Sequence, residues 1–299
     1  YQLVVKTGLI SNIANMYYTL MMLDKQLELV NNMANLTKDT WNLMKLQKEL
    51  GRAKETSVQS AESNYYSVLA QSADLKRQIR ETENSLSLLL AQTISRGKLE
   101  NQSLPSEFST GIGVQLLSNR PDVHYAEMSL AQCFYDTNQA RSRFYPSITI
   151  SGSGAYTNNS GGGIVNPGKM LWNAVGSLTQ PIFAHGQLIA GLKVAKAKQE
   201  QAYNTWQNAV LSAGSEVSNA LVLYNSSDEK SKLEAKQVES LQKNVEYAKM
   251  LFSQGQGTTY LEVITAQQSL LNAQLSKVAD DFYKMQAVVN LYYALGGGR

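Results

Sequence analysis

All five prolines of the chain, at positions 105, 121, 146, 167 and 181, lie in its middle. A proline inside a helix removes one hydrogen bond and clashes with the preceding turn. The two proline-free flanks, residues 1–102 and 182–299, are therefore free to run as very long helices, and their richness in Leu, Ala, Gln, Lys, Glu and Met favours this. Periodicity sharpens the expectation. Ile264, Gln268, Leu271, Leu275, Val278, Phe282, Met285, Val289 and Tyr292 alternate steps of four and three, the heptad of a coiled-coil seam rather than a 3.6-residue stripe. Leu241, Val245, Ala248 and Phe252 do the same before it. In the first flank the seams are Leu29, Met33, Leu36, Thr40 and Leu43, then Val58, Ala61, Tyr65, Val68, Ser72, Leu75, Ile79, Thr82, Leu86 and Leu89.

Each seam breaks at glycine, at Gly51 and at Gly255/Gly257, where an antiparallel helix pair needs its reversal. Each flank thus reads as a helical hairpin. Laying one on the other with an offset of 205 matches Val58 with Val263, Ala61-Glu62 with Ala266-Gln267 and Leu86 with Leu291, an internal duplication. Nothing stops a helix between Gln187 and Gln254, a length of about 100 Å at 1.5 Å per residue. No compact domain needs such a rod, which fits spacing, tethering or a wall. The heptads loosen at Asn225-Ser226-Ser227-Asp228, the place expected for a kink or a change of packing partner.

The centre has a different period. In Ser147 to Tyr156, Ile148, Ile150, Gly152, Gly154 and Tyr156 share one face, and Ser147, Thr149, Ser151 and Ser153 the other. Trp172 to Thr179 alternates likewise, so two strands joined by a polar loop at 157–168 are expected. A lone hairpin is marginal in water, and its edges need partners. Closing a barrel with other copies supplies them; the same alternation also fits a soluble sandwich. Residues 119–145 read as a shorter connector helix, with Pro121 in its first turn and Pro146 at its end.

Composition excludes several functions. Lys+Arg (27) and Asp+Glu (24) nearly cancel and no dense basic block occurs, so nucleic acid is not a partner. The one cysteine, Cys133, reads as a small core residue, and His124 and His185 lie far apart, so no metal-ligand spacing and no cofactor are expected. No nucleophile–base pair is recognisable, and Gly161-Gly162-Gly163 lacks the strand-to-helix context of a nucleotide loop. No catalytic residue is assigned. No run of about 18 apolar residues occurs, which excludes a transmembrane helix but leaves open barrel strands of about ten residues. The first residue is Tyr1, without a signal segment after it, so the chain is expected to be a fragment lacking its N-terminal part.

Leu116-Leu117-Ser118-Asn119-Arg120-Pro121-Asp122-Val123, followed by Ala126-Glu127, Ala140-Arg141 and Phe144-Tyr145-Pro146-Ser147-Ile148, resembles the central signature of the TolC-like outer-membrane factors, especially the lipoprotein branch in tripartite efflux pumps. Thr179-Gln180-Pro181-Ile182-Phe183 with Gly186 is similar to the signature after the second hairpin. Tyr260-Leu261-Glu262-Val263 with Ala266-Gln267 resembles the helical turn of the second repeat, and Leu291 to Gly298 the end. The resemblance implies a mainly α protein: long coiled-coil hairpins in two repeats, with one inserted β-hairpin contributing to a trimeric transmembrane β-barrel. Its parts would be a truncated first hairpin (1–93), a connector with a short helix (94–144), the barrel hairpin (145–183) and the second long hairpin (184–299).

It also implies a passive outer-membrane exit duct of a Gram-negative bacterium, with its helices in the periplasm. The partners implied are two further copies in the full-length protein, a periplasmic adaptor, an inner-membrane pump of the resistance-nodulation-division type and outer-membrane lipid. Family gates lie at the periplasmic helical tips. Carried over, the gate falls on Glu262, with Thr265 where many relatives have a second acid and Phe252 where many have Tyr. The bland alternative for Glu262 is a solvated residue near a helix start. The adaptor would meet the tips at Gly51, Arg52, Gly255, Gly257 and Thr258, although the backbone needs glycine there in any case. Ser147, Thr149, Ser151 and Ser153 would face the lumen. Arg120, Pro121, Asp122, Pro146 and Pro181 are structural. Glu62, Asp280 and Asp281 read as solvated helix faces. A channel for secreted proteins and a structural coiled-coil protein are the alternatives.

Overall fold

The computed structural model describes residues 2–92, 97, 99, 120–156, 170–254, 257 and 259–297. Among the described residues five helices and two strands follow one another: α1 (Gln2–Glu49), α2 (Glu55–Leu90), α3 (Pro121–Ser142), β1 (Ser147–Tyr156), β2 (Met170–Thr179), α4 (Gln187–Gln254) and α5 (Tyr260–Ala294). They divide into two compact units, one of Tyr1–Pro121 with Ser212–Arg299 and one of Asp122–Leu211. Among the described residues no helix is long and apolar enough to cross a membrane.

The first unit is built from antiparallel helices. α1 and α2 meet from Lys48 and Glu55 beside the turn to Asn31 and Ser72, whose side chains bond at 2.8 Å. α5 runs antiparallel to α1, with Thr40 opposite Gln267 and Met21 against Val278 and Met285. It also runs antiparallel to α4, where Lys230 meets Asp280 and Lys284 meets Asp228. One apolar cluster takes residues from all four helices: Val30 and Met33 of α1, Val68 of α2, Val245 of α4, and Leu270 and Leu271 of α5. The duplication is visible in the elements. α1 and α4 end 205 residues apart, α2 and α5 begin 205 apart, and Val58/Val263, Ala61/Ala266 and Leu86/Leu291 are buried in both.

Seam positions on α2 are the best read from sequence, with Val58, Ala61, Val68, Ser72, Ile79 and Leu86 all buried. On α5 the expected seam supplies only five of the fourteen buried residues. Val263, Ala266, Gln267, Leu270, Ala273, Asp280, Ala287, Leu291 and Ala294 form a second row, because α5 is flanked by both α1 and α4. The loosened heptad of α4 is not a break: the helix runs on through it, and Ser227 is buried there. Asp280, expected on a solvated face, is 3% exposed and paired with Lys230 at 3.0 Å. That correction follows from the second row, which carries polar residues into an interface.

Arg120 fixes one end of this unit. It is 5% exposed, and its Nη1 donates to Glu216 Oε2 at 2.6 Å and to the Ala294 carbonyl at 3.1 Å. A helix C-terminus leaves carbonyls without partners, and a guanidinium satisfies one while opposing the dipole. Just beyond, Gly296 and Gly297 close α5 with N–H bonds to Tyr293 and Tyr292, a Schellman ending. Gly297 lies so close to α1 that a Cβ there would stand 2.5 Å from Thr7 Cγ2.

In the second unit, Thr137 of α3 donates to Cys133 O (2.9 Å) and, across to α4, to Ala195 O (3.3 Å). Cys133 is half-buried, not a core residue. α3 starts at Pro121, where the missing N–H costs nothing, and Asp122 Oδ1 accepts the Val123 N–H at 3.0 Å. β1 and β2 pair antiparallel in the register Ser147↔Thr179, Ile150↔Gly176, Gly154↔Trp172. Pro146 stands before the first strand and Pro181 after the second, where no ladder donor is lost.

Candidate functional site

The strand register decides what the hairpin can do. Because cross-strand partners share a face, Ile148 pairs with Leu178, Gly152 with Ala174 and Gly154 with Trp172, giving one apolar face. The opposite face takes Ser147 with Thr179, Thr149 with Ser177, Ser151 with Val175 and Ser153 with Asn173. Ile148, Ile150, Trp172 and Leu178 are between 71% and 83% exposed, which in water would be a liability. Ten residues per strand match what a tilted barrel strand needs to cross a bilayer core. The four expected lumen residues, Ser147, Thr149, Ser151 and Ser153, thus lie together on the polar side.

At the other expected site, Glu262 and Thr265 are exposed on one face of α5 and line a groove of ≈ 530 Å³ with Asn244, Tyr247, Leu251 and Leu261. Glu262 is the acid of the first turn of α5, where the helix dipole favours it. Phe252 does not join them. It packs into the apolar cluster of Met44, Val58 and Ala61, beside Trp41, Tyr260 and Ile264. Its part is to seal the end of the four-helix core.

Among the expected adaptor contacts, Gly255 and Thr258 lie outside the described residues, as does the signature before Arg120. Gly51 has φ +72° and Gly257 φ +65°, the left-handed region where glycine is favoured. Gly51 and Arg52 donate to Lys48 O and Gln47 O at 2.9 and 2.8 Å, a Schellman ending on α1. Lys48 and Glu55 pair across this turn. The bond from Lys48, helped by one from Gln59, holds the Glu55 carboxyl below its usual range. Sequence reasoning assigned no role to Gln267, which is fully buried and donates to Thr40 Oγ1 at 2.8 Å between α5 and α1; its match to Glu62 in the duplication and its place in the signature after Glu262 were the signals that pointed to it.

A helical unit with a duplicated hairpin pattern and an amphipathic strand pair define a class. Residues 112–297 match the outer membrane efflux protein family, and the chain belongs to it. It is 26% identical over 298 residues to the cation efflux system protein CusC of Escherichia coli strain K12, covering 97% of this chain and 64% of that protein. With the solvent efflux pump outer membrane protein SrpC of Pseudomonas putida it shares 27% over 300 residues, 98% of this chain and 63% of that one. A crystal structure of CusC matches with a TM-score of 0.87 at 25% identity, over 99% of this chain and 70% of the other. The chain spans under two thirds of the length of these curated relatives. Family membership places it in the outer membrane of a Gram-negative bacterium, with its helices extending into the periplasm.

Proposed function

We propose that the full-length protein is the outer-membrane exit duct of a tripartite efflux pump, conducting cargo passively from periplasm to exterior. The observation that carries this reading is the hairpin register: ten-residue strands with one apolar face and one mainly polar face, interrupted by Val175 and by the pair Ala155–Leu171, which suit lipid outside and water inside a closed barrel. Three protomers close that barrel. The division into a first repeat (1–93), connector (94–144), barrel hairpin (145–183) and second repeat (184–299) belongs to the same reading, supported by the 205-residue offset of helix ends. The duct does no chemistry of its own; energy comes from an inner-membrane pump of the resistance-nodulation-division type, through a periplasmic adaptor seated on the helical tips around Gly51, Arg52, Gly255, Gly257 and Thr258.

Glu262 is the gate residue and Thr265 its neutral neighbour, with Phe252 supporting the tip from within. Three carboxylates around one axis repel each other and attract cations, so the gate responds to ions and pH. Relatives named for cation efflux and for solvent efflux set the cargo classes to test. Cells lacking the gene should become sensitive to metal cations or to organic solvents, and the full-length protein should restore resistance. Unchanged sensitivity to both classes on deletion would count against an efflux role.

A further inference from the structure

We infer that the first unit carries a proton-binding site inside its wall, where Glu234 of α4 and Asp280 of α5 share one proton and thereby hold the two helices together. It rests on the packing of α4 against α5 and does not depend on the gate assigned to Glu262. Asp280 is 3% exposed; its Oδ1 accepts from Lys230 Nζ at 3.0 Å, and its Oδ2 is buried with no donor. Half-buried on α4, one turn past the Lys230 that holds Asp280, Glu234 has its Oε2 buried with no donor as well. Two ionised carboxylates so placed would repel, and each would keep an unsatisfied oxygen. One proton between them turns that repulsion into an O–H···O⁻ bond and satisfies both oxygens at once.

The surrounding charges are engaged with partners of their own. From α4, Lys230 sits one turn before Glu234, and Ser231 donates to Asp281 Oδ1 at 2.6 Å. From α5, Lys277 neutralises Asp281 at 2.8 Å, and Tyr283 faces Lys230. Farther along the same interface, Asp228 is held by Lys284 at 2.9 Å and by Lys232. α1, on the other flank of α5, carries Asp24, Lys25 and Glu28 at this level, with Lys25 and Glu28 paired at 3.0 Å. Asp281 with Lys277 is neutral. Lys230 bonds Asp280 Oδ1, so Asp280 Oδ2 and Glu234 Oε2 are left without a donor unless a proton lies between them.

Burial, and then the Asp280 carboxyl, holds Glu234 above its usual range. A carboxyl raised on folding stabilises the fold fully below its unfolded value and loses that stabilisation as pH climbs through the raised value. Alkalinity therefore loosens α4 from α5 as Glu234 gives its proton to solvent. With one proton released, the opening equilibrium grows by up to about tenfold per pH unit.

Hydrogen–deuterium exchange on the full-length protein, corrected for intrinsic rates, reads this directly in peptides covering residues 225–240 and 275–286. As pH rises above the ordinary carboxylate range the opening constant should rise toward that slope, and Glu234→Gln, whose amide can donate to Asp280, should flatten it. Infrared spectra across the same pH range should contain a protonated-carboxyl band that persists above the ordinary carboxylate range and that Glu234→Gln removes. Should that variant fail to fold, Asp280→Asn must flatten the slope from the other side. A wild-type slope retained in the variants, or the lack of the carboxyl band, overturns the proposal. Protection that rises with sodium instead of protons would give the site to a metal cation and overturn it equally.

Discussion

Arg120 does more for this structure than its place in a loop before a helix would indicate. A buried guanidinium joins a carboxylate of α4 to the last carbonyl of α5, so three separate stretches of chain depend on one side chain. Arg120→Ala would leave the Ala294 carbonyl without this donor and cost roughly 2–3 kcal/mol, the low end for a buried pair because Glu216 is 48% exposed. Arg120→Lys, which keeps the charge but loses the fork, should cost about half as much. Urea unfolding of the full-length protein checks both; equal stability of all three would refute the tie. The sequence marked Arg120 as structural but not its partners, because Glu216 and Ala294 stand 96 and 174 residues away. Asp280 was illegible for a related reason: a carboxylate reads as solvated unless the lysine opposite, fifty residues off, is known.

The elements were far more legible. Proline placement and heptad spacing marked the helical flanks, glycines at 51 and 255/257 marked the α1–α2 and α4–α5 reversals, and the alternation of Ser147 to Tyr156 matched β1 residue for residue. What spacing did not give was the second buried row of α5, where four alanines, Gln267 and Asp280 dilute the hydrophobic period of Val263, Leu270 and Leu291 to a weak signal. Strand faces offer the sharpest element-level test. Ile150→Arg places a charge on the apolar face and should destabilise the membrane-inserted protein by up to about 2–4 kcal/mol, whereas Thr149→Arg on the polar face should cost little. Measured by unfolding from lipid vesicles, equal penalties at the two positions would mean that the faces do not separate lipid from water. Neighbouring residues of one strand serve as each other's control, because the backbone bonding is the same.

For the whole molecule, the two units have different physics. The hairpin exposes large apolar side chains that only a hydrocarbon surround or another protein surface can cover. The helical unit buries its seams among four helices and turns Glu262 outward into a groove. A duct needs both, a wet pore through lipid and a closable tip, and the family to which the chain belongs supplies the outer-membrane setting. Planar-bilayer recording of the full-length protein tests this account most directly. It predicts discrete, cation-selective conductance whose selectivity falls when Glu262→Gln removes the carboxylates from the tip; no conductance from correctly folded protein, or selectivity indifferent to Glu262, would contradict it.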